Sequence, residues 1–136
     1  MKKFDLNFLV FCDHAVQDNK GKVSLIGIFE NFNVQKFPAT LISFVVAGNT
    51  TVIDTDIKEA TIDLEAFDNK IKSILPSKLT LTVNSISPIP GGGPRKINFL
   101  FTINGLTFVE KGNYKFKVTI NNEEVGELDL DVRTLN

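Results

Sequence analysis

Cys12-Asp13-His14 is the one place in this sequence where a thiol, a carboxylate and an imidazole stand side by side. A thiol and an imidazole form a nucleophilic pair only within hydrogen-bond reach of each other. On a strand, Cys12 and His14 share a face and Asp13 points away. A rise of about 3.3 Å per residue then leaves the two roughly 6–7 Å apart at Cβ, too far for that pair. A zinc site needs three or four ligands. The chain has one cysteine and one histidine, and no carboxylate stands at ligand spacing beside them. The expectation is a buried thiol and a strand-end histidine, with no catalytic residue and no metal.

Three other groupings carry fainter chemistry. Gly91-Gly92-Gly93-Pro94-Arg95-Lys96 resembles a phosphate loop but lacks the lysine–Ser/Thr ending and a following helix whose N-terminus would hold the anion. It reads as a flexible loop, where Arg95 and Lys96 could touch an anion only weakly. Asp54, Asp56 and Glu59 fall near one loop, as calcium-binding carboxylates do, but their spacing matches no established calcium loop; a solvated face is expected. Asn49-Thr50-Thr51 is a glycosylation sequon, which matters only in a secreted protein. No cofactor site is expected. Tyr114, the only tyrosine, follows Gly112-Asn113 into a strand. That is the pattern of a tyrosine corner, whose buried ring sends its hydroxyl to a backbone group a few residues upstream.

The elements that would carry these residues are strands. Tyr114, Phe116, Val118 and Ile120 alternate with polar residues, as do Leu128, Leu130 and Val132, the period of two of a half-buried strand. Facing Phe116 with Leu130 and Val118 with Leu128 buries one face of both strands and sets Lys117 against Asp129. That register requires an odd loop, Asn122-Glu123-Glu124; a two-residue turn would turn Glu127 inward. Further strands are expected over residues 5–15, 23–34, 41–48, 58–67, 79–83 and 95–103. Turns lie at 18–22 and 68–70, a polar loop over 49–55, and a Pro/Gly-rich loop over 84–94. Residues 71–76 form an edge strand at most. Asn104-Gly105 could make a tight hairpin turn, but a crossing between sheets fits better with the corner tyrosine that follows. No window has helical periodicity. About eight short strands and frequent turns predict an all-β chain, an Ig-like antiparallel β-sandwich in a single domain over 1–136, with a closed barrel as the alternative.

The chain has 136 residues and a net charge of −1 with both signs interspersed. A nucleic-acid binder would carry a basic surplus, so no nucleic acid is expected. No stretch approaches the ~20 apolar residues of a membrane helix. Lys2-Lys3 and Phe8-Leu9-Val10-Phe11 imitate a signal peptide, but Asp5 and Asn7 interrupt the run and Asp13-His14 stands where a cleavage site belongs. One cysteine excludes an internal disulfide and suits a reducing compartment. Twelve phenylalanines, one tyrosine and no tryptophan suit a core better than a recognition surface, which favours Tyr and Trp.

One asymmetry stands out. The later strands are amphipathic, while the first three are apolar on both faces: Phe8, Val10 and Cys12 against Leu9 and Phe11; Val23 and Leu25 against Ile26 and Ile28; Leu41 and Val45 against Ile42, Phe44 and Val46. A strand buried on one face has no need of that. Either the chain's own segments (the Pro/Gly loop, or Leu106 and Phe108) lie over the sheet, or that face is an interface built on Phe11, Ile26, Ile28, Ile42, Phe44 and Val46.

Four segments, Phe11-Cys12-Asp13-His14, Gly21 to Phe29, Phe37-Pro38-Ala39 and Gly112 to Phe116, resemble a family of small bacterial proteins known only as a domain of unknown function. The resemblance spans nearly the whole chain. It implies an Ig-like β-sandwich and a cytoplasmic setting, and supplies no activity and no site residues. Glu30 and Asn31 stand where the family leads us to expect Arg or Asp. The expectation is a non-enzymatic module that binds a protein partner or itself through its first sheet. The alternative is a small-molecule or anion binder at Gly91 to Lys96.

Overall fold

A computed structural model describes residues 2–86 and 88–135 as an all-β chain of two sheets. Nine strands follow in order: β1 (Phe4–Gln17), β2 (Val23–Phe29), β3 (Asn31–Val34), β4 (Ala39–Val52), β5 (Ala60–Phe67), β6 (Leu79–Val83), β7 (Arg95–Phe108), β8 (Gly112–Ile120) and β9 (Glu123–Thr134). The first sheet has the order β2-β1-β4-β7, the second β3-β9-β8-β5-β6. All pairs are antiparallel except β3 with β9. Ser87, inside the expected 84–94 loop, lies outside the described residues. Among the described residues no helix is long and apolar enough to cross a membrane.

The two sheets enclose a Phe-rich interior. Phe11 meets Phe116 of the opposite sheet edge-on at 4.9 Å, and Phe44 meets the same ring at 6.1 Å, the geometry that aromatic quadrupoles favour. Leu6 of β1 packs on Gly126 of β9, where an added Cβ would lie 2.5 Å from Leu6 Cδ2. A side chain at position 126 would therefore have to displace the Leu6 methyl. The Tyr114 ring is buried against Phe108, and its hydroxyl donates to the Glu110 carbonyl at 2.6 Å.

Several expected boundaries are corrected. The long second strand is two strands: after Phe29 the chain leaves the first sheet and joins the second as β3, beside β9. The polar loop over 49–55 is largely strand, because β4 continues to Val52 with Asn49 and Thr50 paired to β7. Asn104-Gly105 is neither turn nor crossing, since β7 runs through it to Phe108. Residues 71–76 contribute a single bridge, Phe67 to Ser73.

The β8–β9 hairpin has the faces expected and a different register. Phe116 faces Leu128, Tyr114 faces Leu130, and Lys115 rather than Lys117 faces Asp129. The turn is the two-residue Asn121-Asn122, both with positive φ (49° and 68°), as the favoured tight hairpin turn demands. A bulge between Val118 and Thr119 absorbs the extra residue on β9, so Glu127 stays exposed despite the short turn.

Candidate functional site

The apolar outer face of the first sheet is covered, and the cover is the β1–β2 hairpin itself. β1 pairs with β4 as far as Cys12 opposite Val45 and no further, while its pairing with β2 continues to Gln17 opposite Val23. Beyond Cys12 the hairpin leaves the sheet plane and lies over the outer face. Ala15 and Leu25 pack against Cys12, Val45 and Ala47, together with Val10 and Leu100. The tip reaches β7, at the far side of the sheet: Asn98 Nδ2 donates to the Gly21 carbonyl at 3.3 Å. Asn98 is the end of a row of amides across the same face, Asn7 to Asn49 at 2.7 Å and Asn49 to Asn98 at 2.6 Å. The doubly apolar strands therefore serve two cores, the sandwich interior and a small one under this flap. Among the described residues the Pro/Gly loop adds nothing to this small core, and Leu106 and Phe108 lie in the interior instead.

The bend sits where Asp13 faces Gly27, between the pairs Cys12–Ile28 and His14–Ile26. Gly27 has φ of 73°, a left-handed conformation that costs a residue with a Cβ about 1–2 kcal/mol. A Cβ there would also collide with the Asp13 carboxyl group. Across this bend Cys12 and Ala15, three residues apart on β1, meet in one cluster, so the alternation of faces does not carry through it. The same device recurs where Ile42 faces Gly105 (φ 76°). Phe44 and Leu41, also three apart, both face the interior, and Ile42 is thrown outward with 81% of its surface exposed.

The bend separates Cys12, Asp13 and His14. Cys12 is fully buried under the flap. Burial, and then the charge of Asp13, push its thiol pKa up, which keeps it protonated and slow as a nucleophile. His14 is exposed. Asp13 lines a cleft of about 290 Å³ that opens where β1 departs from β4. Its other walls are Gly27, Ile28, Phe29, Asn31, Phe32, Asn33 and Leu41. The departure also leaves Ala39 to Phe44 of β4 paired with β7 alone.

Three candidate interface residues are corrected. Phe11, Phe44 and Val46 are fully buried in the interior, because paired positions of β1 and β4 turn them inward and turn Cys12, Val45 and Ala47 outward. Ile28 and Ile42 lie exposed near the cleft, and Ile26 lies exposed on the flap, at 59%, 81% and 57%. Arg95 donates to the Ile57 and Asp54 carbonyls, clamping the β4–β5 connection to β7. Lys96, the next residue on the strand, points to the opposite side and is exposed. Asp54 accepts from the Asp56 amide as a turn residue. Among the described residues no three His, Cys, Asp or Glu side chains gather as metal ligands would. The one sequence feature that marks the bend is Gly27, a glycine in mid-strand, where a bulge or a close backbone approach is favoured.

A family model described as a family of unknown function (DUF6941) matches residues 7–133. No curated protein matches the chain. Among solved structures, the chain is similar to part of the Pseudomonas fluorescens alkylpurine DNA glycosylase AlkC bound to DNA containing an abasic site analog. That likeness has 8% identity and a TM-score of 0.54 over 96% of this chain and 30% of that one. It is also similar to part of a β-glucosidase from Listeria innocua in complex with isofagomine, with 12% identity and a TM-score of 0.49 over 96% of this chain and 16% of that one. The chain thus spans under a third of the first protein and under a fifth of the second. The first likeness concerns the fold alone.

Proposed function

The chain belongs to DUF6941, a family of unknown function, and from that premise we propose that it is a non-enzymatic module that binds a protein strand, from a partner or a second copy, at the open end of its first sheet. The observation that carries this reading is the stretch Ala39 to Phe44 of β4, which β1 abandons at Cys12–Val45. An unpaired strand edge offers backbone donors and acceptors that an added strand can satisfy, and the exposed Ile42 and Ile28 supply apolar contacts beside it. The corner bond of Tyr114 supports an Ig-like form of the sandwich. The free, buried Cys12 supports a reducing compartment such as a bacterial cytoplasm.

A photo-reactive residue placed at position 42 in cells tests this, with one at the exposed Lys78, just before β6, as control. The expected result is one discrete adduct from position 42 and none from position 78. Light scattering of the pure protein across a dilution series then tells whether the adduct is a second copy. Equal, diffuse labelling from both positions overturns the reading.

A further inference from the structure

We propose that the cleft at the bend is a binding site for an organic cation, an ammonium or guanidinium group on an apolar stem. The observation is the company Asp13 keeps. Among the described residues it is the only charged one lining the cleft, and its carboxylate takes part in no ion pair. Its place is held open by Gly27, whose missing Cβ leaves the space the carboxyl group occupies. The walls beside it are aromatic and fixed. Phe29 stacks on Phe11 with centroids 5.6 Å apart and planes at 16°, and Phe32 packs on Phe108 at 5.8 Å. Asn31 and Asn33 add amide oxygens, and an Asn33 Nδ2 to Asn31 Oδ1 bond at 3.4 Å orients the pair.

A carboxylate with nearby aromatic rings and amide oxygens attracts a cation through charge, through the negative ring faces and through hydrogen-bond acceptance. Ile28 and Leu41 suit the methylene stem that carries such a group. Asp13 is exposed, so a neutral ligand gains nothing from its charge, and an anion would be repelled by it. The volume, about 290 Å³, is at the small end of ligand pockets. It fits a small amine or one Lys or Arg side chain, not a larger metabolite. The assignment does not require the open β4 edge to take a strand: a cleft that binds free amine while position 42 captures nothing would stand without the reading above.

The test is an NMR titration of the whole chain with n-hexylammonium, with agmatine, and with n-hexanol as the neutral control. The cations should shift the Gly27 amide and the Asn31 and Asn33 side-chain amides, and hexanol should not. Asp13→Asn should weaken hexylammonium binding at least tenfold, and Asn31→Asp, which adds a second charge to the same wall, should tighten it several-fold. An Asp13→Asn protein that binds equally well overturns the proposal, as does hexanol matching the amine or an absence of shifts up to the solubility of the amine. A short extended peptide with a central lysine identifies the source. Binding more than tenfold tighter than the free amine marks the cation as a partner's side chain; equal or weaker binding marks it as a small molecule.

Discussion

The flap should open as a unit, and Cys12 beneath it reports the opening. Leu25 is half-buried on the small outer core, and burying such a side chain fully is worth roughly 1.5–3 kcal/mol, so its share is about 1–1.5 kcal/mol. The Asn98–Gly21 bond adds about 0.5–1.5 kcal/mol, and Ala15 with the remaining contacts adds somewhat less. Docking is then worth about 2–4 kcal/mol, which at about 1.4 kcal/mol per factor of ten slows native-state alkylation of Cys12 roughly 30- to 700-fold against a free thiol. The raised thiol pKa slows it further at neutral pH. Leu25→Ala should quicken alkylation about five- to tenfold, and Asn98→Ala about two- to tenfold, each by the same free energy that the substitution takes from global stability in urea unfolding. Phe99→Leu, which loosens the interior, serves as the contrast. If Leu25→Ala leaves the rate unchanged while Phe99→Leu raises it, the thiol is reached by global unfolding, and the flap is not a separate unit.

Other outcomes follow from the same geometry. Tyr114→Phe removes the hydroxyl that meets the Glu110 carbonyl and should cost about 0.5–1.5 kcal/mol in urea unfolding without changing the fold by circular dichroism. Gly27→Ala should cost about 1–3 kcal/mol from its left-handed φ and its collision with Asp13. Gly27→Asn, which tolerates that φ better, isolates the collision, and Asp13→Ala in the Gly27→Ala background should recover part of the loss. Burial chiefly pushes up the pKa values of Cys12 and Tyr114. In alkali the folded state therefore holds protons that the unfolded chain has released, and stability should be complete below the free thiol's pKa of about 8.5 and decline as pH rises through the folded pKa values. Cys12→Ala should remove the earlier part of that decline in denaturation measured across alkaline pH.

The strands were legible where period two runs unbroken. Tyr114, Phe116, Val118 and Ile120 face inward as their alternation requires; the apolar content of both faces of Phe8 to Cys12 and Leu41 to Val46 pointed to a cover or an interface, and the structure packs Val10, Cys12 and Val45 under the hairpin while leaving Phe8 and Ile42 exposed. What covered the outer layer was not legible, because it depends on a bend at Gly27 that joins residues far apart in the chain. Alternation also fails at a positive-φ glycine. A period-two count carried across Asp13 and Ile42 assigns a false phase to the residues beyond, and the choice of Phe11, Phe44 and Val46 for the outer face came from the same inability to fix phase. The β8–β9 register was missed for a related reason. Asn121-Asn122 was a readable turn, but accepting it required a bulge near Val125, and a bulge leaves no residue signature of its own there. The cleft was invisible as a site because Asp13 reads as a solvent-facing residue until the hairpin folds back beside it.

The flap joins one part of the chain to a surface made much later. Gly21 and its partner Asn98 lie 77 residues apart. At about 5–20 residues per second of synthesis, the β1–β2 hairpin exists for roughly 4–15 s before the strand it must lie across has emerged. Hairpin formation takes microseconds, so for that interval it waits with Ala15 and Leu25 uncovered and with an open edge on either side. A nascent chain in that condition is a substrate for holding chaperones and for pairing with its neighbours on a polysome.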